Sequence, residues 1–331
     1  MLYYYALLYY NINLKQIKTM KKIHIISTLI GLLIFSTLAK AELKVVTSIK
    51  PIHSLASYIM DGVGSPGLIV DGYNSPHSFQ LKPSHAKMLE QADIIFWIGE
   101  DLENFLEKPL DTIAKKAEKI ELLEIKNIKK LKFRERNIFE EHEEHDDHGH
   151  DAKKEEHDDH EEHGHGEYDP HIWLDPINAK IILNEITEHL IENDSKNTST
   201  YNSNLTKALA KIDKLIIDVI TETNKNLSYV VFHDAYQYYE NRFNVNILGA
   251  MTVNPDVMPG AEQIHEIHEV IEHDNVSCIL SEPQFNPDII KSIAKDTSVK
   301  TGVLDPLGAN LKPGKNLYFD LIRNMSSSFN C

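Results

Sequence analysis

The sequence predicts an α/β protein of two lobes, each with a mainly parallel sheet flanked by helices. Three observations lead there. Short β-branched runs alternate with helix-length amphipathic segments in both halves of the chain, the pattern of parallel sheets covered by helices. One apolar helical repeat near the middle is long for a globular helix and could bridge two lobes. The length, 331 residues, suits two domains or two lobes of one fold.

Leu43–Ser48 (LKVVTS) reads as a buried strand. Pro51 opens a helix, IHSLASYIM, that runs up to Gly62. Gly67–Val70 is a second strand, followed by the loop DGYNSPHSFQLKPS, and Ser84 can cap the helix HAKMLEQA. Asp93–Ile98 is a third strand, with a helix around Leu102–Leu110 and a strand near Lys119–Leu123 behind it. Further on, Asp175 and Pro176 make a helix start, Asp as N-cap and Pro in the first turn, ahead of Ile177, Ile181, Ile182, Ile186 and Leu190. After the polar gap ENDSKNTST, the residues Tyr201, Leu205, Leu209, Ile212, Leu215, Ile216, Val219 and Ile220 recur at helical spacing over roughly seven turns. The alternation then resumes, with strands at 229–233, 246–250, 276–280 and 300–304 and helices near 235–242, 260–273, 287–295 and 316–328. The second half thus repeats the architecture of the first, without a residue-level repeat. The boundaries that follow are an N-terminal lobe at 42–193, a linker helix at 194–226 and a C-terminal lobe at 227–331.

Residues 20–41 read MKKIHIISTLIGLLIFSTLAKA: two lysines, an apolar core and the small-x-small exit Ala39-Lys40-Ala41. This is the form of a secretory signal peptide, with Glu42 as the first mature residue. A membrane anchor is the competing reading, which the short apolar run and the small-residue exit disfavour. Residues 1–19 precede a signal that already begins at Met20 and are taken as an upstream extension. Only Cys278 and Cys331 exist, and neither adjoins the cleavage site, so no lipid-attachment cysteine is there. In an oxidising compartment the two could form one bridge, pinning the C-terminus to a predicted strand; two free thiols are the alternative.

The formal charge is −16, and residues 140–167 supply −12 of it through fourteen acids against Lys153 and Lys154. The acidity is therefore local and argues against nucleic acid as a partner. Eight of the 18 histidines fall in the same tract: His142, His145, His148, His150, His157, His160, His163 and His165. With almost no apolar residue, the segment 139–167 cannot offset the entropy of ordering and is expected to be a disordered loop. Imidazoles interleaved with carboxylates make an adaptable, auxiliary metal binder, whereas a mere charged spacer has no special use for histidine.

Three further histidines share one kind of position. His77 follows Ser75-Pro76 just past the second strand, His171 follows Asp169-Pro170 just before the helix at 176, and His233 ends the strand YVVFH. Asp305 ends the strand KTGVL in the same way. Ligands of open α/β sheets bind at the carboxyl ends of strands. Three imidazoles plus a carboxylate or water make a sound tetrahedral zinc set, and nitrogen-rich ligation favours zinc, nickel or copper over manganese, magnesium or calcium.

SPHSFQLKPS (75–84), DPHIWLDP (169–176), VVFHDAYQYYE (230–240) and SEPQF…TGVLDPLG (281–308) resemble, in order, the signature segments of the zinc-binding proteins of bacterial ABC importers, the ZnuA type. The resemblance covers essentially the whole mature chain. It implies two α/β lobes joined by one rigid long helix, with Zn²⁺ in the cleft between them. It places the metal histidines on His77, His171 and His233 and the late-strand carboxylate on Asp305. Manganese-preferring relatives have a glutamate where this chain has His233, which supports zinc. Some members carry a glutamate just before the first histidine as a fourth ligand; this chain has Pro76, so water or Asp305 must fill that position. The resemblance also implies a His/acid loop at this place and a Cys278–Cys331 bridge. The expected function is a periplasmic, non-enzymatic protein, monomeric, that captures Zn²⁺ and delivers it to an inner-membrane ABC permease with its cytoplasmic ATPase, with a periplasmic zinc chaperone as a further candidate partner.

Two other readings compete. A metal-dependent hydrolase would need an open metal position and a base, for which Glu282 or Asp305 could be cast, but no HExxH, nucleophile elbow or phosphate loop is present. A His-rich metal buffer using only the loop leaves His77, His171 and His233 unexplained. His265, His268 and His273 lie on a predicted helix and read as a solvated face.

Overall fold

Two four-stranded parallel sheets of the same strand order carry the fold. A computed structural model of the chain describes Met20 and residues 42–134, 136–139, 166–255, 257–297 and 299–331. Apart from Met20, the expected signal peptide and upstream extension lie outside the described residues, as do the eight histidines of the acidic tract. The described residues from 43 to 331 form one compact unit. Its first sheet contains β1 (Val45–Ile49), β2 (Gly67–Val70), β3 (Ile94–Trp97) and β4 (Glu118–Glu121), in the order β2-β1-β3-β4. The second contains β5 (Ser228–His233), β6 (Asn246–Thr252), β7 (Cys278–Ser281) and β8 (Lys300–Val303), in the order β6-β5-β7-β8. All paired strands are parallel. VVTSI of β1 and IIFW of β3 are buried throughout, as strands covered on both faces must be. In each sheet the order reverses beside its first strand, β1 or β5, and that is where a crevice opens at the carboxyl ends.

The helices follow the sequence signals with a few shifts. α1 (Lys50–Ile59) starts directly after β1, with Pro51 in its first turn. α2 (Pro83–Gln91) is not capped by Ser84: Lys82 is the N-cap, Pro83 takes the first helical position, and His85 Nδ1 accepts from Lys82 N at 3.2 Å. Proline's fixed φ sets the start two residues earlier than the serine would. α3 (Glu100–Thr112) follows β3. α4 (Pro176–Asn193) starts as expected: Asp175 Oδ1 accepts from Ile177 N at 2.8 Å. Arg242, on α6 (Gln237–Phe243), grips the same carboxylate with bonds of 2.7 and 2.8 Å, tying the cap to the other half of the chain.

α5 (Thr198–Glu222) has 25 residues and spans roughly 37 Å at 1.5 Å per residue. It packs on α1 and α4 on one side of the chain and on α9 (Leu317–Ser328) on the other. Tyr201, Ala208, Ile212, Leu215 and Val219 are buried, whereas Ile220, expected on that face, is 44% exposed. Asn204 Nδ2 donates to the Ile59 and Asp61 carbonyls, satisfying the end of α1. One apolar core runs continuously from β1 to Phe329, and a second, smaller one covers the other face of the second sheet under α7 (Ala261–His273) and α8 (Asp288–Asp296). Cys278 and Cys331 form a disulfide that ties the C-terminus to β7. No described helix is long and apolar enough to cross a membrane.

The ends of the expected loop at 139–167 are ordered rather than free. Phe139 N donates to Leu248 O at 2.9 Å, and Phe133 N donates to Glu167 O at 3.2 Å. Phe139 stacks under the Arg134 guanidinium, 3.8 Å from the ring centroid. Backbone pairing with neighbouring chain thus continues past the point where composition alone ends it.

Glu103 on α3 is fully buried, and its Oε2 accepts from Ile98 N at 2.8 Å and Gly99 N at 3.2 Å. Burial raises its carboxyl from 4.5 to about 7 despite those bonds. The folded chain therefore binds more protons than the unfolded one between those values, so this group's contribution to stability is lost as pH rises through that window. Glu103→Gln keeps an acceptor and has no proton to lose. Relative to the parent chain it should gain about 1–3 kcal/mol in denaturant unfolding between pH 4.5 and pH 8.

Candidate metal centre

Each of the three predicted histidines arrives from a different kind of element. His77 lies in the loop beyond β2, its backbone N–H donating to Ser75 Oγ at 3.2 Å. His171 immediately precedes a short 3-10 turn, Ile172–Leu174, that leads into α4. His233 is the last residue of β5, beside the reversal point between β5 and β7. Their rings converge: the centroids of His77 lie 5.6 Å from both His171 and His233, and those of His171 and His233 lie 5.3 Å apart. One nitrogen from each falls within 4.8 Å of the others.

Two carboxylates orient this set. His171 Nδ1 is 2.8 Å from Asp169 Oδ1, which also accepts from the His171 backbone N–H at 2.9 Å. His233 Nδ1 is 2.6 Å from Glu282 Oε1, and Glu282 is the residue after β7. With each Nδ1–H donating to a carboxylate, each Nε2 is left with its lone pair. Those two Nε2 atoms face each other at 3.4 Å. Two lone pairs so close in a buried site need a cation between them, a proton or a metal. This carboxylate–imidazole relay is the arrangement that holds a metal-ligating histidine in one tautomer.

The electrostatics fit. Burial, with the adjacent His233, holds the His171 imidazole well below the usual range, so it is neutral and ligand-competent. Burial also pushes His233 downward, but Glu282, with Asp234 and Asp169, offsets it and the net shift is upward. Burial raises Asp169 to about 7. A divalent ion between the two Nε2 atoms would satisfy both at once. Pro76, Trp173, Phe285, Pro306 and Leu307 wall the site with apolar surface around a cavity of about 10 Å³. That is about the room one water or one ion occupies.

Asp305 is not brought into this group. Its Oδ1 accepts from Gln284 Nε2 and from the backbone of Leu307 and Gly308, and its Oδ2 accepts from Ala309 N at 2.6 Å. The carboxylate instead fixes the turn after β8. Asp169 and Glu282 were not marked as ligand-orienting residues by sequence. The available signals were an aspartate two residues ahead of His171 and a glutamate directly after a buried strand. His265 and His273 on α7 are exposed and stand apart from the metal-capable group, as a solvated face would.

The family model that matches residues 45–330 is described as the periplasmic component A of the zinc-uptake complex. A high-affinity zinc uptake system protein ZnuA of Brucella abortus (strain 2308) is 44% identical over 308 residues, covering 88% of this chain and 92% of that one. The Yersinia pestis protein of the same name is 35% identical over 303 residues, covering 90% and 94%. Among solved structures, the laminin-binding adhesin Lmb of Streptococcus agalactiae superposes with a TM-score of 0.70 at 22% identity, over 87% of this chain and 98% of that one, which places the fold.

Asp169→Asn and Glu282→Gln should each weaken binding of a divalent metal by about 10–100-fold, the usual effect of losing a partner that orients a ligand. Asp305→Asn should change it less than either. Competition of the three variants against a chromophoric chelator measures this ordering.

Proposed function

We propose that this chain, which belongs to the periplasmic zinc-uptake component A family, captures Zn²⁺ between His77, His171 and His233 and hands it to the permease of an ABC importer. The family is one of transport proteins and not of enzymes. The observation that carries the reading is the pair of buried imidazoles whose outer nitrogens are held by Asp169 and Glu282 and whose inner nitrogens lie 3.4 Å apart, with His77 closing the third side. Three neutral imidazoles suit Zn²⁺, at Zn–N distances of about 2.0–2.1 Å, and water completes the tetrahedron. The engagement of Asp305 by four protein donors supports water over Asp305 in that position. A cavity of about 10 Å³ leaves no room for an organic substrate, which weighs against a hydrolase.

Residues 20–41 act as the cleaved export signal, and the mature chain works in the periplasm as a monomer, docking on a permease driven by a cytoplasmic ATPase; a zinc chaperone is a second candidate partner. The tract with His142, His145, His148, His150, His157, His160, His163 and His165 serves as a weaker collector. Support for that role comes from its flanks: Asp169 N donates to Leu131 O, so the chain that leaves the tract leads straight to His171.

In a competition titration, Zn²⁺ should exceed Mn²⁺ in affinity by orders of magnitude, because the ligand set is nitrogen-rich. Equal affinities would remove the zinc assignment. Calorimetric titration separates the two kinds of binding. Deleting residues 140–165 should lower the number of Zn²⁺ bound and leave one tight site nearly unchanged, while His77→Ala, His171→Ala or His233→Ala should lose at least about tenfold to hundredfold in the tight site alone. Tight binding that survives the point variants and disappears with the deletion would make the tract the receptor.

A further inference from the structure

A second group of metal-ligand atoms lies on the first sheet, well away from the cleft. Glu118 is the first residue of β4, at the amino end of the sheet, and His189 and Glu192 lie one turn apart on α4. His189 comes 13 residues after Pro176, roughly 20 Å along the helix from the end that follows His171. One ligand atom from each of Glu118, His189 and Glu192 falls within 4.8 Å of the others.

The geometry around His189 resembles a ligand more than an ion pair. Its Nε2 is 3.3 Å from Glu185 Oε1, one turn back on the same helix. With Nε2–H donated there, Nδ1 holds the lone pair. Nδ1 is shielded from solvent, and although Glu118 Oε1 lies 2.8 Å away, that oxygen sits off the axis of the ring nitrogen and makes no hydrogen bond with it. The two atoms lie side by side instead of pointing at each other, as two ligands of one ion do. Glu118 is steadied by Asn193 Nδ2, which donates to its other oxygen at 2.9 Å, and Phe96 packs edge-on against the imidazole at 6.2 Å between centroids. The carboxylate–imidazole relay of the cleft thus recurs with the ring nitrogens exchanged.

We infer that Glu118, His189 and Glu192 form a second, weaker site for a first-row divalent cation, clasping α4 to the edge strand β4. One nitrogen and two carboxylate oxygens make a harder set than three imidazoles, so this site accepts Mn²⁺, which the cleft disfavours. Its exposed Glu192 leaves open positions to water. The inference stands apart from the zinc reading of the cleft, since none of its residues belongs to that site.

The test uses the full chain exposed to Mn²⁺ with no Zn²⁺ added, so that no tighter-binding ion fills the second site. Anomalous scattering at the manganese edge should show a peak within bonding distance of His189 Nδ1 and the two carboxylates. A rise in Tm on adding Mn²⁺ should appear in the parent chain and be lost in Glu192→Gln, with the Tm before Mn²⁺ unchanged by the substitution, because an ion that binds only the folded state stabilises it. Glu192 is exposed, so this variant should fold; His189→Ala should lose the manganese peak as well. Absence of the peak, or an undiminished Tm rise in Glu192→Gln, would overturn the site and leave His189 as an ordinary ion-pair bridge between Glu118 and Glu185.

Discussion

Two buried imidazoles, each bound on its outer nitrogen by a carboxylate, impose the condition that the rest of the cleft satisfies. Asp169 turns His171 and Glu282 turns His233, and the two inner nitrogens end 3.4 Å apart with lone pairs facing. Both histidines are nearly fully buried, so bulk water does not reach that contact. A divalent cation placed between them would satisfy both lone pairs at once, which is the ground for the zinc proposal. Glu282 does this from the end of β7 and His233 from the end of the paired strand β5, so the sheet fixes their separation before any ion arrives.

Holding that geometry requires the two sheets to keep their places, and several bonds cross between them. Trp173 Nε1 donates to Pro306 O at 2.9 Å, and Tyr318 hydroxyl donates to Trp173 O at 2.9 Å. Lys50, buried at the end of β1, donates to the carbonyls of Ala309 and Leu311 at 3.0 and 2.8 Å. The turn they grip is the one Asp305 organises through its backbone donors. Asp305 therefore holds the turn that carries two residues of the cleft wall, Pro306 and Leu307. With α5 packed on helices from both halves and a core that runs through them, the cleft is largely built beforehand, and little ordering entropy remains to oppose binding.

Much of this was legible in the sequence because it rests on local signals. β-branched runs gave the strands, Asp175-Pro176 gave the start of α4, and three histidines at element ends gave the group that converges in the cleft. The parts that were not legible depend on partners far along the chain. Asp169 and Glu282 have no local mark that separates an orienting carboxylate from any other; their role exists only once His171 and His233 are buried beside them. Asp305 looked like His233, a polar residue ending a strand, but β8 stops at Val303 and the carboxylate is taken up by Gln284 and the backbone of the turn that follows. Glu118 and His189 sit 71 positions apart, and nothing in the spacing brings them together. Ser84 lost the cap of α2 to Lys82 because Pro83 takes the first helical position, a local rule outweighed by a stiffer local rule.

The most direct measurement is a crystal structure of the Zn²⁺-loaded chain with anomalous scattering collected on both sides of the zinc edge. The account predicts one strong peak about 2.0–2.1 Å from a nitrogen of each of His77, His171 and His233, with Asp169 and Glu282 still on the outer nitrogens and Asp305 still on its backbone donors. A strongest peak ligated by other residues, or by fewer than three of these imidazoles, would contradict it.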